Sequence, residues 1–158
     1  EKLGTKLFIR EMSENGKPER SEERTTYFPV LYLEPYTKNN AALGFDISTN
    51  PQGAKSLWKS AEKNIISVTG RLDLVQKDDE GFGVVITLPI YKDHNIIETP
   101  TQRRNKLEGF AVAVLDIGPM IETVIRTNIE PAGLHLLFED LNAQQDQKFL
   151  YLHEWMAV

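Results

Sequence analysis

Short apolar runs, separated by polar stretches that carry proline and glycine, set the rhythm of this chain. Leu7-Phe8-Ile9 is compatible with a first strand. Ser13 to Arg24, with Asn15-Gly16 and Pro18, reads as a turn and exposed loop. Phe28 to Leu33 has strand composition, closed by Pro35 because proline donates nothing to a ladder; Thr37 to Ala42 is a polar connection. The period then changes. Ser48, Thr49 and Asn50 offer N-cap oxygens, and Pro51 suits the first helical position, where its missing N–H has no helical partner anyway. Ala54, Leu57, Trp58 and Ala61 follow at i, i+3, i+4 and i+7, one apolar helix face with Trp58 as a core anchor.

Ile65 to Val75 and Phe82 to Ile90 read as strands, with the acidic stretch Lys77-Asp78-Asp79-Glu80-Gly81 as a solvated hairpin connection. Asp93 to Lys106 is polar and reads as a long loop. Phe110 to Leu115 is the most apolar strand, β-branched at Val112 and Val114. Pro119 opens a second helix with Met120, Ile121, Val124 and Ile125 as its stripe, and Leu134 to Phe138 and Phe149 to Leu152 complete the set as strands. Nothing in this order alternates as βαβ, so the pattern predicts an α+β fold with an antiparallel sheet.

At 158 residues the chain suits one domain, or two small subdomains sharing a core. A domain of this size buries about 68–70% of its unfolded surface and needs no disulfide or metal to stand alone. The net charge of −5 argues against duplex nucleic acid as a partner, and Arg103-Arg104 with Lys106 is too small a basic cluster to change that. No stretch approaches the about 18 apolar residues of a membrane helix, and no leader pattern is visible. The absence of cysteine removes thiol nucleophiles and Cys–Zn sites, and tilts the reading towards an exported domain.

Catalytic constellations fail one by one. His94, His135 and His153 form no i, i+4 pair and no HExxH, so they build no zinc site. No G-x-S-x-G presents a serine. Gly81-Phe82-Gly83 lacks the third glycine and the following helix of a dinucleotide loop. Asp140, Asn142 and Gln144 mimic half a calcium loop, but Gln145 stands where the sharp turn needs glycine. The expectation is a non-enzyme without metal or cofactor.

Tyr27 to Tyr91 holds YFPVLYLEP, then GFDISTNPQGAKSLWKSAEKNIISVTGRLDLV, then GFGVVITLPIY. With Arg103-Arg104 and LEGFAVAVLDI from Leu107 to Ile117, this order of parts resembles the CHASE domain over roughly Phe8 to Phe138. That module is the extracytoplasmic sensor of many bacterial receptor kinases and nucleotide cyclases and of the plant cytokinin receptors. The resemblance implies a PAS-like fold, with Thr5 to about Leu115 as a membrane-distal unit and Asp116 onward as a smaller membrane-proximal one. It also implies a periplasmic or extracellular location, a small-molecule ligand, a homodimer in the full receptor, and membrane contact only through flanking segments absent from this chain. Such modules usually begin with a long helix serving as stalk and dimer contact. Strand-like sequence begins here within the first ten residues, which leaves the dimer interface open.

By the resemblance, Asp46 falls on an aspartate that contacts ligand in the cytokinin receptors. A carboxylate just before a helix can take donors from a polar ligand, but it can equally cap the helix and tie down its loop. Val68 and Thr69 fall on the start of a strand lining the same cavity, where the backbone can meet the ligand. Alternate residues share a strand face, so either Val84, Ile86 and Leu88 or Val85 and Thr87 form a wall. Val112 and Val114 replace small residues of the cytokinin receptors and are expected to shrink the cavity below what a substituted adenine needs. The expected ligand site is therefore Asp46, Val68, Thr69, Val84, Ile86, Val112 and Val114. The alternative is a ligand-free interaction or dimerisation module with a filled core.

Overall fold

The structure, a computed structural model, describes residues 8–13, 15, 17–73, 82–92, 98–128 and 134–154. The acidic connection Lys77 to Gly81, His94, Trp155 and Met156 lie outside them. Strand β1 (Arg10–Met12) pairs antiparallel with β2 (Pro18–Arg20), Arg10 opposite Arg20. A stretch read as loop thus supplies a strand: β2 is exposed throughout, so no hydrophobic alternation marks it. Phe28 to Leu33, conversely, forms no strand. It runs extended beside Gly44–Ile47, with Val30 N donating to Phe45 O (3.0 Å), Gly44 N to Val30 O (2.8 Å) and Ile47 N to Phe28 O (3.2 Å). Pro29 makes an isolated antiparallel bridge to Asp46, and beside it Phe28 N donates to the Asp46 carboxylate instead of to a backbone carbonyl. A short helix α1 (Tyr36–Asn39) and a 3₁₀ turn (Asn40–Ala42) replace the expected polar connection.

Helix α2 (Pro51–Lys63) begins where the sequence places it. Asn50 Oδ1 accepts from Gln52 N (2.9 Å) and Gly53 N (3.2 Å), and Pro51 opens the first turn. Its buried face is Gly53, Ser56, Leu57, Ser60 and Ala61. Ser56 and Ser60 are small enough to bring it close to the sheet, and Ser60 Oγ donates to Thr87 O (3.1 Å). Gly53 is obligatory: a Cβ there would stand 2.5 Å from Ile47 O.

The sheet is built on β5 (Phe82–Tyr91). One edge carries β3 (Ser67–Val68) and then β4 (Leu72–Asp73), and the other carries β6 (Leu107–Asp116), all antiparallel. Between β5 and β6 lies α3 (Pro100–Lys106), where the polar composition reads as loop. Its signal is local: Thr99 and Gln102 form a reciprocal capping box, with Pro100 just inside. Arg103 and Arg104 of the basic cluster dock α3 on α2. Arg103 Nε donates to Glu62 O (2.5 Å), Arg104 pairs with the Glu62 carboxylate, and the Arg104 guanidinium stacks 4.8 Å above Trp58.

Helix α4 (Ile117–Asn128) starts two residues before Pro119, which its first turn tolerates. Its buried stripe is Ile117, Ile121 and Ile125, whereas Met120 and Val124 of the expected stripe are exposed. The i, i+4, i+8 row begins at Ile117, two residues ahead of the start that Pro119 suggests. Strands β7 (Leu136–Glu139) and β8 (Phe149–His153) form the last antiparallel hairpin. Val84, Leu136, Phe138, Leu150 and Tyr151 pack on the α4 isoleucines. Leu57, Ala61 and Val85 are buried at α2. The whole is an α+β, PAS-like arrangement of antiparallel sheets with flanking helices. Among the described residues no helix is long and apolar enough to cross a membrane.

Candidate functional site

Asp46 is fully buried and held from several directions. Its amide donates to Arg10 O (2.8 Å), tying it to β1, and Gly44 makes the turn before it with φ 79°. Its Oδ1 accepts from Phe28 N (3.0 Å), Ser48 N (2.9 Å) and Ser48 Oγ (2.6 Å). The capping role weighed from sequence is therefore present, and it occupies one oxygen. Oδ2 is buried, with no hydrogen-bond partner among the described residues. Arg24 faces it as an ion-pair partner, its Nη2 3.8 Å away. Arg24 itself bonds Glu11 and Ser21 and lies 5.6 Å from the Tyr27 ring centre. The Glu22 amide first, then the Ser21 hydroxyl and Arg24, hold the Glu11 carboxyl below its usual value. A buried carboxylate oxygen without a donor is rare and asks for one.

Beside Asp46, the Phe28 ring meets Trp58 edge-on (centroids 5.3 Å, 82°) and Phe110 likewise (5.5 Å, 71°). Phe28 thus joins α2 to the β6 strand, an aromatic wall that the sequence reading did not single out. On β6, Phe110, Val112 and Val114 share one face, and register places Val112 opposite Thr87 and Val114 opposite Val85. Thr87 Oγ1 lies 3.2 Å from Ser56 Oγ on α2, so this is the α2 side of the sheet.

The expected site residues divide between two faces. Val84 pairs with Leu115 and Ile86 with Ala113, on the side away from α2, and Val84 packs into the α4 core. Val84 and Ile86 therefore do not join Val112 and Val114. Of the two alternatives, Val85 and Thr87 share the valines' face. Val68, opposite Ile86, is on the far side and 52% exposed, whereas Thr69 is buried. Val112 and Val114 are 38% and 48% exposed, so their methyl groups bound an open face and do not shrink a packed cavity.

A second feature escaped the sequence reading. A groove of about 600 Å³ between α4 and β8 is lined by Glu122, Ile125, Arg126, Tyr151, Leu152, His153 and Glu154. Glu122 Oε1 accepts from Tyr151 OH (2.7 Å) and lies 2.6 Å from His153 Nδ1, while Arg126 Nε stands 3.6 Å from Oε2. The His153 bond first, and then the Tyr151 bond, hold the Glu122 carboxyl below its usual value. The same bond to Glu122, more than burial, holds the Tyr151 phenol above its own. The available signal was period two: Tyr151 and His153 alternate on one strand face. Among the described residues no group of three or more His, Cys, Asp or Glu is arranged to hold a metal.

A family model, that of the CHASE domain, matches residues 3–151. The comparison with curated proteins returns no match.

Proposed function

Since the chain belongs to the CHASE domain family, the extracellular sensor modules of signalling receptors, we propose that it binds a small polar ligand at Asp46 and relays the event across a membrane. The observation that carries this reading is Asp46 Oδ2, buried with Arg24 Nη2 at 3.8 Å but with no hydrogen-bond donor among the described residues, while Oδ1 alone does the capping. A ligand N–H or O–H would complete that oxygen with charge-assisted strength. Phe28, whose amide bonds the same carboxylate, meets Trp58 and Phe110 edge-on, and Val112 and Val114 share the strand face of Phe110. Binding signals only if it favours one of two conformations.

In this reading the distal unit reaches to about Leu115 and the proximal unit follows, in a homodimeric receptor whose output is a histidine kinase or a cyclic-dinucleotide enzyme. A second reading, a ligand-free interaction module, is favoured by one observation: Val68, Leu88 and Ile90 are all exposed on the face away from α2.

A thermal-shift screen against small polar metabolites, with Asp46→Asn alongside, decides between them. A ligand at one hundred times its dissociation constant adds about 2.7 kcal/mol. For a domain of this size the melting temperature then rises by at least roughly 5 °C. A hit lost in a folded Asp46→Asn supports the sensor at this site. A hit that the variant keeps removes Asp46 from it, and silence across a broad library favours the interaction module.

A further inference from the structure

The edge strand of the sheet breaks between β3 and β4. Val68 lies opposite Ile86 and Leu72 opposite Gly83, so Thr69, Gly70 and Arg71 face only Val84 and Val85. One extra residue on one strand is a β-bulge, a device that re-aims a side chain. Thr69 pins its first side: its amide donates to Val85 O (3.0 Å), and its Oγ1 accepts from Val85 N (2.9 Å). Gly70 sits at the tight point, where a Cβ would meet Gln52 Oε1 at 2.6 Å and Asp140 Oδ2 at 3.8 Å.

Arg71 leaves this bulge for the β7–β8 hairpin. Its Nη1 donates to Phe149 O (2.9 Å), its Nε to Gln147 Oε1 (3.2 Å) and its Nη2 to Asp146 O (3.2 Å). The guanidinium lies 4.1 Å from the Phe82 ring centre, and Phe82 meets Phe149 edge-on at 6.2 Å. A planar fork fixed by three bonds and one stacked ring has little freedom to absorb a displacement. We propose that Arg71 is a coupling residue, passing a change in the backbone at Val68–Thr69 to strand β8 and the Glu122 groove beside it. Its use as a signalling route rests on the sensor reading above; the mechanical link does not.

Lying between two elements is not coupling, so the test is a mutant cycle without any ligand. Thr69→Val keeps the side-chain shape and removes the acceptor for Val85 N. Amide exchange over residues 149–153 of the intact chain should then rise about tenfold, the scale of one buried hydrogen bond lost. In an Arg71→Ala background the same substitution should move those amides less than about twofold. Arg71→Lys should behave like Arg71→Ala, because one ammonium cannot span three acceptors. An equal rise with and without Arg71 overturns the proposal and assigns transmission to Val84, and no rise in the native background overturns it as well. If Thr69→Val melts the chain, seen as fast exchange in α2, Gly70→Ala displaces only the flexible end of Gln52 and replaces it in the cycle. Failure here leaves the ligand role of Asp46 to the thermal-shift screen.

Discussion

Ser56 and Thr87 face each other hydroxyl to hydroxyl at 3.2 Å, enclosed between α2 and β5. Thr87 Oγ1 also donates to Ser67 O (3.4 Å), so losing Thr87 strands the Ser56 hydroxyl, whereas losing Ser56 leaves Thr87 a partner. Thr87→Val alone should cost about 1–3 kcal/mol, and Ser56→Ala less. The double variant should cost clearly less than the sum of the two, since no orphan hydroxyl remains. Urea midpoints of the four proteins check this, and strict additivity would show that the pair is not coupled.

Asp46 holds the Phe28 strap and the turn before α2 through one oxygen. Asp46→Ala removes the acceptor for both amides and should destabilise by about 1–3 kcal/mol. Asp46→Asn keeps an acceptor at Oδ1 and should lose clearly less, which makes it the better probe of ligand binding. Equal losses in the two variants would mean that the carboxylate charge, and not the acceptor, stabilises the turn.

The clasp around Glu122 predicts two limbs in a plot of stability against pH. A carboxyl lowered on folding contributes stability that is fully present above its unfolded value near 4.5 and is lost as pH falls through the folded value. A phenol raised on folding contributes stability fully present below its unfolded value near 10.0, lost as pH rises through the folded value. Glu122→Gln should flatten the acid limb of melting temperature against pH, and Tyr151→Phe the alkaline limb. Limbs unchanged by these substitutions would assign the pH dependence to other groups.

Gly53→Ala sets two effects against each other. Alanine raises helix propensity by about 0.8–1.0 kcal/mol over glycine. Its Cβ, however, would stand 2.5 Å from the backbone oxygen of Ile47, which cannot swing aside as a side chain can. Overpacking of this kind costs about 1–3 kcal/mol, so the variant should be less stable than the parent. A higher melting temperature would show that the turn before α2 yields easily.

What the sequence made legible was whatever rests on local chemistry. Asn50 and Pro51 announce α2, and the apolar runs around β5 and β6 are too long to read otherwise. The capping role of Asp46 was readable from its place before Ser48. The errors arise where pairing decides. β2 is polar throughout and becomes a strand only because β1 lies beside it, whereas Phe28 to Leu33 has strand composition but no ladder to join. Choosing between Val84 with Ile86 and Val85 with Thr87 required the strand register, which side-chain types do not encode. The Glu122 clasp joins residues about thirty positions apart and has no local signature.

Val84 and Val85 are neighbours in the chain, yet Val84 packs on the α4 isoleucines while Val85 is buried on the α2 side. Modularity in the sense of cut and paste is therefore closed to this fold. A fragment ending at Asp116 would bare Val84 and the Phe82 ring, and a fragment beginning there would lose the surface on which α4 rests. The chain should melt as one body, and an insertion or domain exchange survives only if it leaves the two faces of a single strand covered together.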